Sequence, residues 1–166
     1  VLVVQALTLA MDMRLPAIAT TLIELTDAEA VVFRNDATVR KLEGLDTYIR
    51  TFKDLPLEPF DVEIGGITYR LDLLEGQKTG FYLDQREQHA LVSSFASGKK
   101  VLDAFCNQGA FALQCAKAGA ESVLGIDSSD TAIKAATVNA EANELEASFQ
   151  PANVFDYFSD NREEKF

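Results

Sequence analysis

Two acids and a glycine, Asp103, Asp127 and Gly109, stand where this chain could hold a ligand. Asp103 closes the apolar run Val101-Leu102, and Asp127 closes Val123-Leu124-Gly125-Ile126. Between them Asn107-Gln108-Gly109-Ala110 is a small-residue turn, followed by a helix face of Ala112, Leu113, Cys115, Ala116 and Ala118. Strand, turn, helix and strand in that order make parallel neighbours, and ligands of such units lie beyond the carboxyl ends of the strands. A dinucleotide would want a three-glycine turn that seats its pyrophosphate on the helix N-terminus. This turn has one glycine, and a carboxylate at Asp103 would repel pyrophosphate. An acid there suits a cationic amino group, and an acid after the second strand suits two ribose hydroxyls. S-adenosylmethionine carries both. The plainer alternative is that Asp103 caps the next turn and Asp127 caps the helix beginning near Ser129.

Little else in the chain offers chemistry. His89 is the sole histidine and has no cysteine or histidine near it in sequence, which argues against zinc and against a general base; no metal site and no catalytic residue is expected. Cys106 and Cys115 lie in or beside one helix, make no disulfide framework, and suit a reducing, cytoplasmic setting. No run of 18 apolar residues and no signal-peptide pattern occurs, so no membrane partner is expected. The net charge is −11, with 11 basic and 15 acidic groups in residues 1–100 but 4 and 11 after them. Such an acidic surface is a poor binder of nucleic acid, which needs cations against its phosphates.

The elements that must position the acids follow from periodicity. Residues 1–75 predict a small α+β module. It contains a strand over Val1 to Leu7, a helix entered at Pro16 with Ile18, Leu22, Ile23 and Leu25 on one face, and a strand over Ala30 to Phe33. A brief helical turn capped by Asn35 or Asp36 follows, then a loop from Gly44 to Pro59. Arg34, Arg40 and Lys41 form the one basic cluster of the first half, a solvated surface or an RNA-phosphate contact. Phe60 to Ile64, Gly65-Gly66 and Ile67 to Leu73 read as a hairpin. Phe81-Tyr82-Leu83 reads as a short strand, and Asp84 with Glu87 as a capping box opening a helix through Leu91, Val92 and Phe95. After Asp127, Ser128-Ser129-Asp130 caps a helix with Asn139 and Asn143 four apart on one face, and Ser148 to Gln150 is a third strand.

Lys78-Thr79-Gly80-Phe81-Tyr82-Leu83-Asp84-Gln85-Arg86, Val101-Leu102-Asp103-Ala104-Phe105-Cys106 and Gly125-Ile126-Asp127-Ser128-Ser129 together resemble the S-adenosylmethionine-dependent methyltransferases that make 5-methylcytosine in large-subunit ribosomal RNA. The resemblance covers nearly the whole chain. It implies an α/β fold: a partial Rossmann-like class I methyltransferase domain over 76–166, holding its first three parallel strands, preceded by the module of 1–75. It also implies a cofactor pocket drawn from Lys78, Thr79, Phe81, Tyr82, Asp84, Arg86, Asp103, Phe105, Asn107, Gly109, Phe111, Asp127, Ser128 and Asn153. Arg86 would pair with the methionyl carboxylate, since guanidinium binds carboxylates bidentately. Asn153 stands where the family has an aspartate for the adenine amino group, Ala110 where it has glycine, and Asn107 where an aromatic is frequent.

Methylating cytosine C5 requires a thiolate to add at C6, and neither Cys106 nor Cys115 suits that task. The expectation is therefore a fragment, inactive alone, of an enzyme whose partner is ribosomal RNA. The strand of Val101 to Asp103, short of one neighbour, would then favour a homodimer through its edge. The competing readings are a nicotinamide-dependent oxidoreductase and a non-catalytic nucleotide-binding or assembly module.

Overall fold

The computed structural model describes residues 1–76 and 80–162, which fall into two compact units. One comprises Val1–Phe60 and Leu71–Phe81, the other Asp61–Arg70 and the chain from Tyr82 onward.

In the first unit β1 (Leu2–Val4) lies parallel to β2 (Val31–Asn35), which pairs antiparallel with β3 (Tyr48–Thr51). The crossover between β1 and β2 carries a short helix α1 (Leu9–Asp12) and then α2 (Leu15–Thr26), which Pro16 opens at the position where its missing N–H costs nothing. Leu15 and Ala19 of α2 pack on Ala6, Val31 and Phe33, with Leu2, Val4, Ile23, Tyr48 and Phe52 around them. Strand β3 falls in the stretch expected to be a loop. Its Tyr48-Ile49-Arg50-Thr51 is too short to show a period, and pairing with β2 makes it a strand.

The basic cluster is corrected by burial. Arg34 and Arg40 are 3% and 1% exposed, so neither is a solvated charge nor within reach of an RNA phosphate. Arg34 donates to the carbonyls of Leu73 (3.1 Å) and Gly76 (2.6 Å) and pairs with Asp36 at 3.0 Å. That bond holds the Asp36 carboxyl below its ordinary range. Arg40 donates to the carbonyls of Ala6 and Asp46 and pairs with Asp12 at 2.8 Å. Both guanidiniums thus satisfy backbone that the short sheet leaves unpaired. Asn35 and Asp36 do not cap the helical turn Thr38–Glu43, whose N-cap position is Ala37. Asn35 instead accepts from the Ala6 N–H at 2.8 Å and donates to the Tyr48 hydroxyl.

The hairpin forms where the alternation placed it, as β4 (Phe60–Ile64) and β5 (Ile67–Leu71) turning at Gly65-Gly66. In the second unit α3 (Arg86–Ser93) precedes a parallel sheet of β6 (Lys100–Ala104), β7 (Ser122–Asp127) and β8 (Ser148–Pro151), joined by α4 (Ala110–Lys117) and α5 (Asp130–Ala142). A last helix, α6 (Val154–Asp160), follows β8. Ala96, Ala112, Cys115 and Val123 make a core backed by Val101, Ala116, Ala120, Ala147 and Phe149. Gly125 is required here: a Cβ would stand 2.5 Å from the Phe149 ring. Among the described residues β6 pairs with β7 alone.

Two local expectations fail. Phe81-Tyr82-Leu83 is not a strand; Leu83–Gln85 is one turn of 3-10 helix leading into α3. Asp84 lies in that turn, while the N-cap position of α3 is Gln85, with no side-chain cap bond. Helix α3 buries His89 and Ser93 and leaves Leu91, Val92 and the following Phe95 exposed. No helix of the described residues is long and apolar enough to cross a membrane.

Candidate functional site

The parallel register sets Asp103 opposite Gly125 and brings Asp103 and Asp127 to the same end of β6 and β7. From there the chain turns through Phe105 (φ +66°), Asn107 (φ +48°) and Gly109 (φ +85°) before α4 begins. Left-handed backbone is costly for a side chain such as Phe, and it persists only where surrounding bonds over-determine it. Those bonds are present. The Cys106 N–H donates to the Ile126 carbonyl at 2.9 Å, and the Gly109 N–H to the Cys106 carbonyl at 2.8 Å. The Asn107 N–H donates to Asp127 Oδ2 at 2.9 Å, and the Gln108 N–H to Asn107 Oδ1 at 2.8 Å. At Gly109 a Cβ would meet the Phe149 ring at 3.0 Å and Ala136 Cβ at 3.2 Å, so both φ and space select glycine.

Each acid therefore holds backbone. Asp103 Oδ2 accepts from the Ala112 N–H at 3.0 Å in the first turn of α4. Asp127 Oδ1 accepts from the Ser129 N–H at 3.0 Å, and the Ser129 hydroxyl caps α5 through Ala132. The capping alternative raised by the sequence is thus present, but it uses one bond per oxygen and leaves the remaining lone pairs for a ligand. Burial pushes the Asp103 carboxyl up to about 6; the Ala112 N–H opposes this and the charge of Asp127 adds to it. A carboxylate held short of full ionisation by desolvation and a second carboxylate is stabilised by an incoming cation. That electrostatic demand fits the ammonium group of an amino-acid ligand and opposes a pyrophosphate.

The remaining expected residues divide. Ser128 is exposed beside Asp127, and Asn107 and Gly109 belong to the turn itself. Phe105 is 63% exposed and meets Phe155, 76% exposed, edge-on with centroids 6.3 Å apart. Phe111, in the first turn of α4, stacks edge-on against buried His89 at 4.3 Å, where desolvation lowers the imidazole pKa. His89 is thus a packing residue. Asp84 and Arg86 are exposed and line a cleft of about 530 Å³ with Glu87, His89, Gln114 and the hairpin turn at Ile64-Gly65; neither Asp103 nor Asp127 lines it. Arg86 has no ion-pair partner among the described residues. Tyr82 is partly buried, Phe81 is buried within the first unit, and Lys78 and Thr79 lie outside the described residues. Asn153 caps α6, its Oδ1 accepting from the N–H groups of Phe155 (2.9 Å) and Asp156 (3.3 Å), so an adenine amino group would compete with both.

Sequence reasoning missed one part of this site. Asn139, fully buried on α5, donates to the Gln108 carbonyl in the turn. The signal was the pair of asparagines four apart on an otherwise alanine-rich helix.

A parallel sheet whose first two strands end in acids on either side of a glycine turn defines a Rossmann-like α/β domain. The chain belongs to the S-adenosylmethionine-dependent methyltransferase family, whose model matches residues 1–161. That match gives S-adenosylmethionine as the cofactor, as expected, and sets aside the competing nicotinamide reading. The chain is 40% identical over 139 residues to the ribosomal RNA large subunit methyltransferase I of Shewanella frigidimarina, covering 81% of this chain and 35% of that protein. The same enzyme of Shewanella amazonensis is 37% identical over 168 residues, 99% of this chain and 42% of its own length. The chain thus spans well under half of the curated relatives it matches. In fold it is similar to a solved structure from Streptococcus mutans, assigned to the S-adenosylmethionine-dependent methyltransferases, with a TM-score of 0.80 at 21% identity over 97% of this chain and 42% of that one.

Proposed function

We propose that this chain is the cofactor-binding part of a methyltransferase that modifies C5 of cytosine in large-subunit ribosomal RNA. The observation that carries the reading is the pair Asp103 and Asp127 around the Gly109 turn, with the Asp103 carboxyl raised by burial. Asp103 holds the amino group, Asp127 accepts from the ribose hydroxyls, and Phe105, Asn107, Gly109, Phe111 and Ser128 shape the pocket. Asn153 offers its side-chain carbonyl to the adenine amino group, in competition with the N–H groups of Phe155 and Asp156. By the sequence resemblance, Tyr82, Asp84 and Arg86 serve the amino-acid end, with Arg86 toward the carboxylate. When bound, S-adenosylmethionine supplies an electrophilic methyl group on a sulfonium.

The choice of ribosomal RNA is supported by the kinship to ribosomal RNA large subunit methyltransferases I, and the choice of cytosine by the sequence resemblance alone. The chain's own residues bind and orient the cofactor; they do not supply the thiolate that must add at cytosine C6. Cys106 is 4% exposed, and burial, with Asp103 and Asp127 adding, pushes its thiol up to about 12. Cys115 is buried in α4 and its thiol is raised for the same reason. The surface charge of −11 likewise gives RNA little to hold.

Labelled methyl transfer from S-adenosylmethionine to ribosomal RNA tests both halves. The 166-residue chain should transfer nothing, and the full-length protein should label cytosine, identified by mass spectrometry of digested RNA. Transfer by the chain alone overturns the assignment of its cysteines. Label on guanine or on protein overturns the substrate.

A further inference from the structure

Strand β5 pairs with β4 on one side, and on its other side the backbone of Thr68 and Arg70 faces helix α5. Asn143 binds Thr68 twice, Oδ1 accepting from its N–H at 2.8 Å and Nδ2 donating to its carbonyl at 2.6 Å. One turn earlier, Asn139 Oδ1 accepts from the Arg70 N–H at 2.9 Å. The match is geometric. Residues four apart on a helix rise about 6 Å, and residues two apart on a strand about 6.8 Å. Two asparagine amides at i and i+4 therefore meet successive outward-facing backbone groups of a strand edge, in place of a neighbouring strand.

Asn143 Nδ2 also donates to the Asn139 carbonyl at 2.7 Å, within its own helix, and of the two amides Asn139 alone reaches the turn. Asn139 Nδ2 donates to the Gln108 carbonyl at 3.2 Å, and Asn139 has no solvent exposure. Gln108 stands between Asn107 and Gly109, both in left-handed backbone, and its carbonyl orientation is coupled to the peptide plane that carries the Gly109 N–H. We propose that Asn139 is a positioning residue for the cofactor site: it fixes the Gln108–Gly109 peptide from behind, so that the turn is set before a ligand arrives. The effect on cofactor affinity rests on the function proposed above, whereas the effect on the turn does not. Asn143 is the internal control, since it shares the strand-bracketing role and makes no bond to the turn.

The test compares Asn139→Ala with Asn143→Ala in the 166-residue chain. Amide hydrogen exchange of Gly109 is read without ligand, and S-adenosylhomocysteine affinity by titration calorimetry. Both variants should lose thermal stability. Asn139→Ala should speed Gly109 exchange about tenfold and weaken S-adenosylhomocysteine about tenfold, while Asn143→Ala leaves both near wild type. If Asn139→Ala does not fold, Asn139→Leu keeps most of the buried volume and has no donor for the Gln108 carbonyl; the same two readouts apply. Unchanged Gly109 exchange in the Asn139 variant, or equal changes in both, overturns the proposal. So does failure of both Asn139 variants to fold while Asn143→Ala folds, since that makes Asn139 a core residue only. Absence of binding by wild type would count against the cofactor reading alone, and the exchange result would still decide the role of Asn139.

Discussion

Asp103→Asn should make the ligand-free protein more stable and the cofactor complex weaker. In the folded chain the Asp103 carboxyl titrates near 6 against an ordinary value of 3.8, so the native state holds this proton more tightly than the unfolded chain does. The sign follows from linkage. The cost of ionising Asp103 is absent below about pH 4, grows as pH rises through about 6, and is full above it. A gap of about 2 units corresponds to about 3 kcal/mol. The carboxyl is partly rather than fully buried and keeps the Ala112 N–H, so about 1–3 kcal/mol is the working range at pH 8. An amide oxygen can still accept that bond, so the charge is the main thing removed. Thermal melting should then rise by roughly 2–8 °C at pH 8 and by about a third as much at pH 4.5. The same variant should bind S-adenosylhomocysteine roughly 10- to 100-fold more weakly, because a charge-assisted bond is lost. A structural cap would lose stability when altered, whereas a residue kept for its ligand gains it. Lower stability of Asp103→Asn at pH 8, or a stability gain that is the same at pH 4.5 and pH 8, would mean that the folded chain does not penalise the Asp103 charge.

Asp127→Ala should lose about 1–3 kcal/mol of S-adenosylhomocysteine affinity, and some stability too, since it frees the N–H groups of Asn107 and Ser129; calorimetry and melting read the two separately. Gly125→Ala puts a methyl into the Phe149 ring and should cost about 1–3 kcal/mol by denaturant unfolding, with an unchanged melt showing that β8 yields freely. Both thiols should resist iodoacetamide at pH 8 in the folded chain and react on unfolding; rapid labelling of Cys106 would contradict its burial and its raised pKa.

The parallel strands and their acids were legible because each rests on local signals: apolar runs, a Gly-bearing turn, and Ser129 where α5 begins. The hairpin was legible for the same reason, from strict alternation on both sides of Gly65-Gly66. What the sequence hid was set by tertiary partners. Arg34 and Arg40 are charged and adjacent to Lys41, so they read as surface; their burial is decided by unpaired carbonyls of Leu73, Gly76, Ala6 and Asp46 that no window of sequence shows. Strand β3 was missed because its only reason to be extended is β2. The Asp84–Glu87 spacing suggested a cap, but the preceding turn of 3-10 helix moves the start of α3 to Arg86. The asparagine pair on α5 was visible as a spacing, and its meaning came only when β5 was found alongside it.

On the function proposed above, Asp103 and Asp127 select an adenosyl amino acid over a dinucleotide. Parallel calorimetric titrations of the chain with S-adenosylhomocysteine and with NAD at pH 8 test it most directly. S-adenosylhomocysteine should bind one-to-one, and NAD should give no measurable heat. Binding of NAD with equal or greater affinity, or no binding of S-adenosylhomocysteine by a chain shown to be folded, would contradict it.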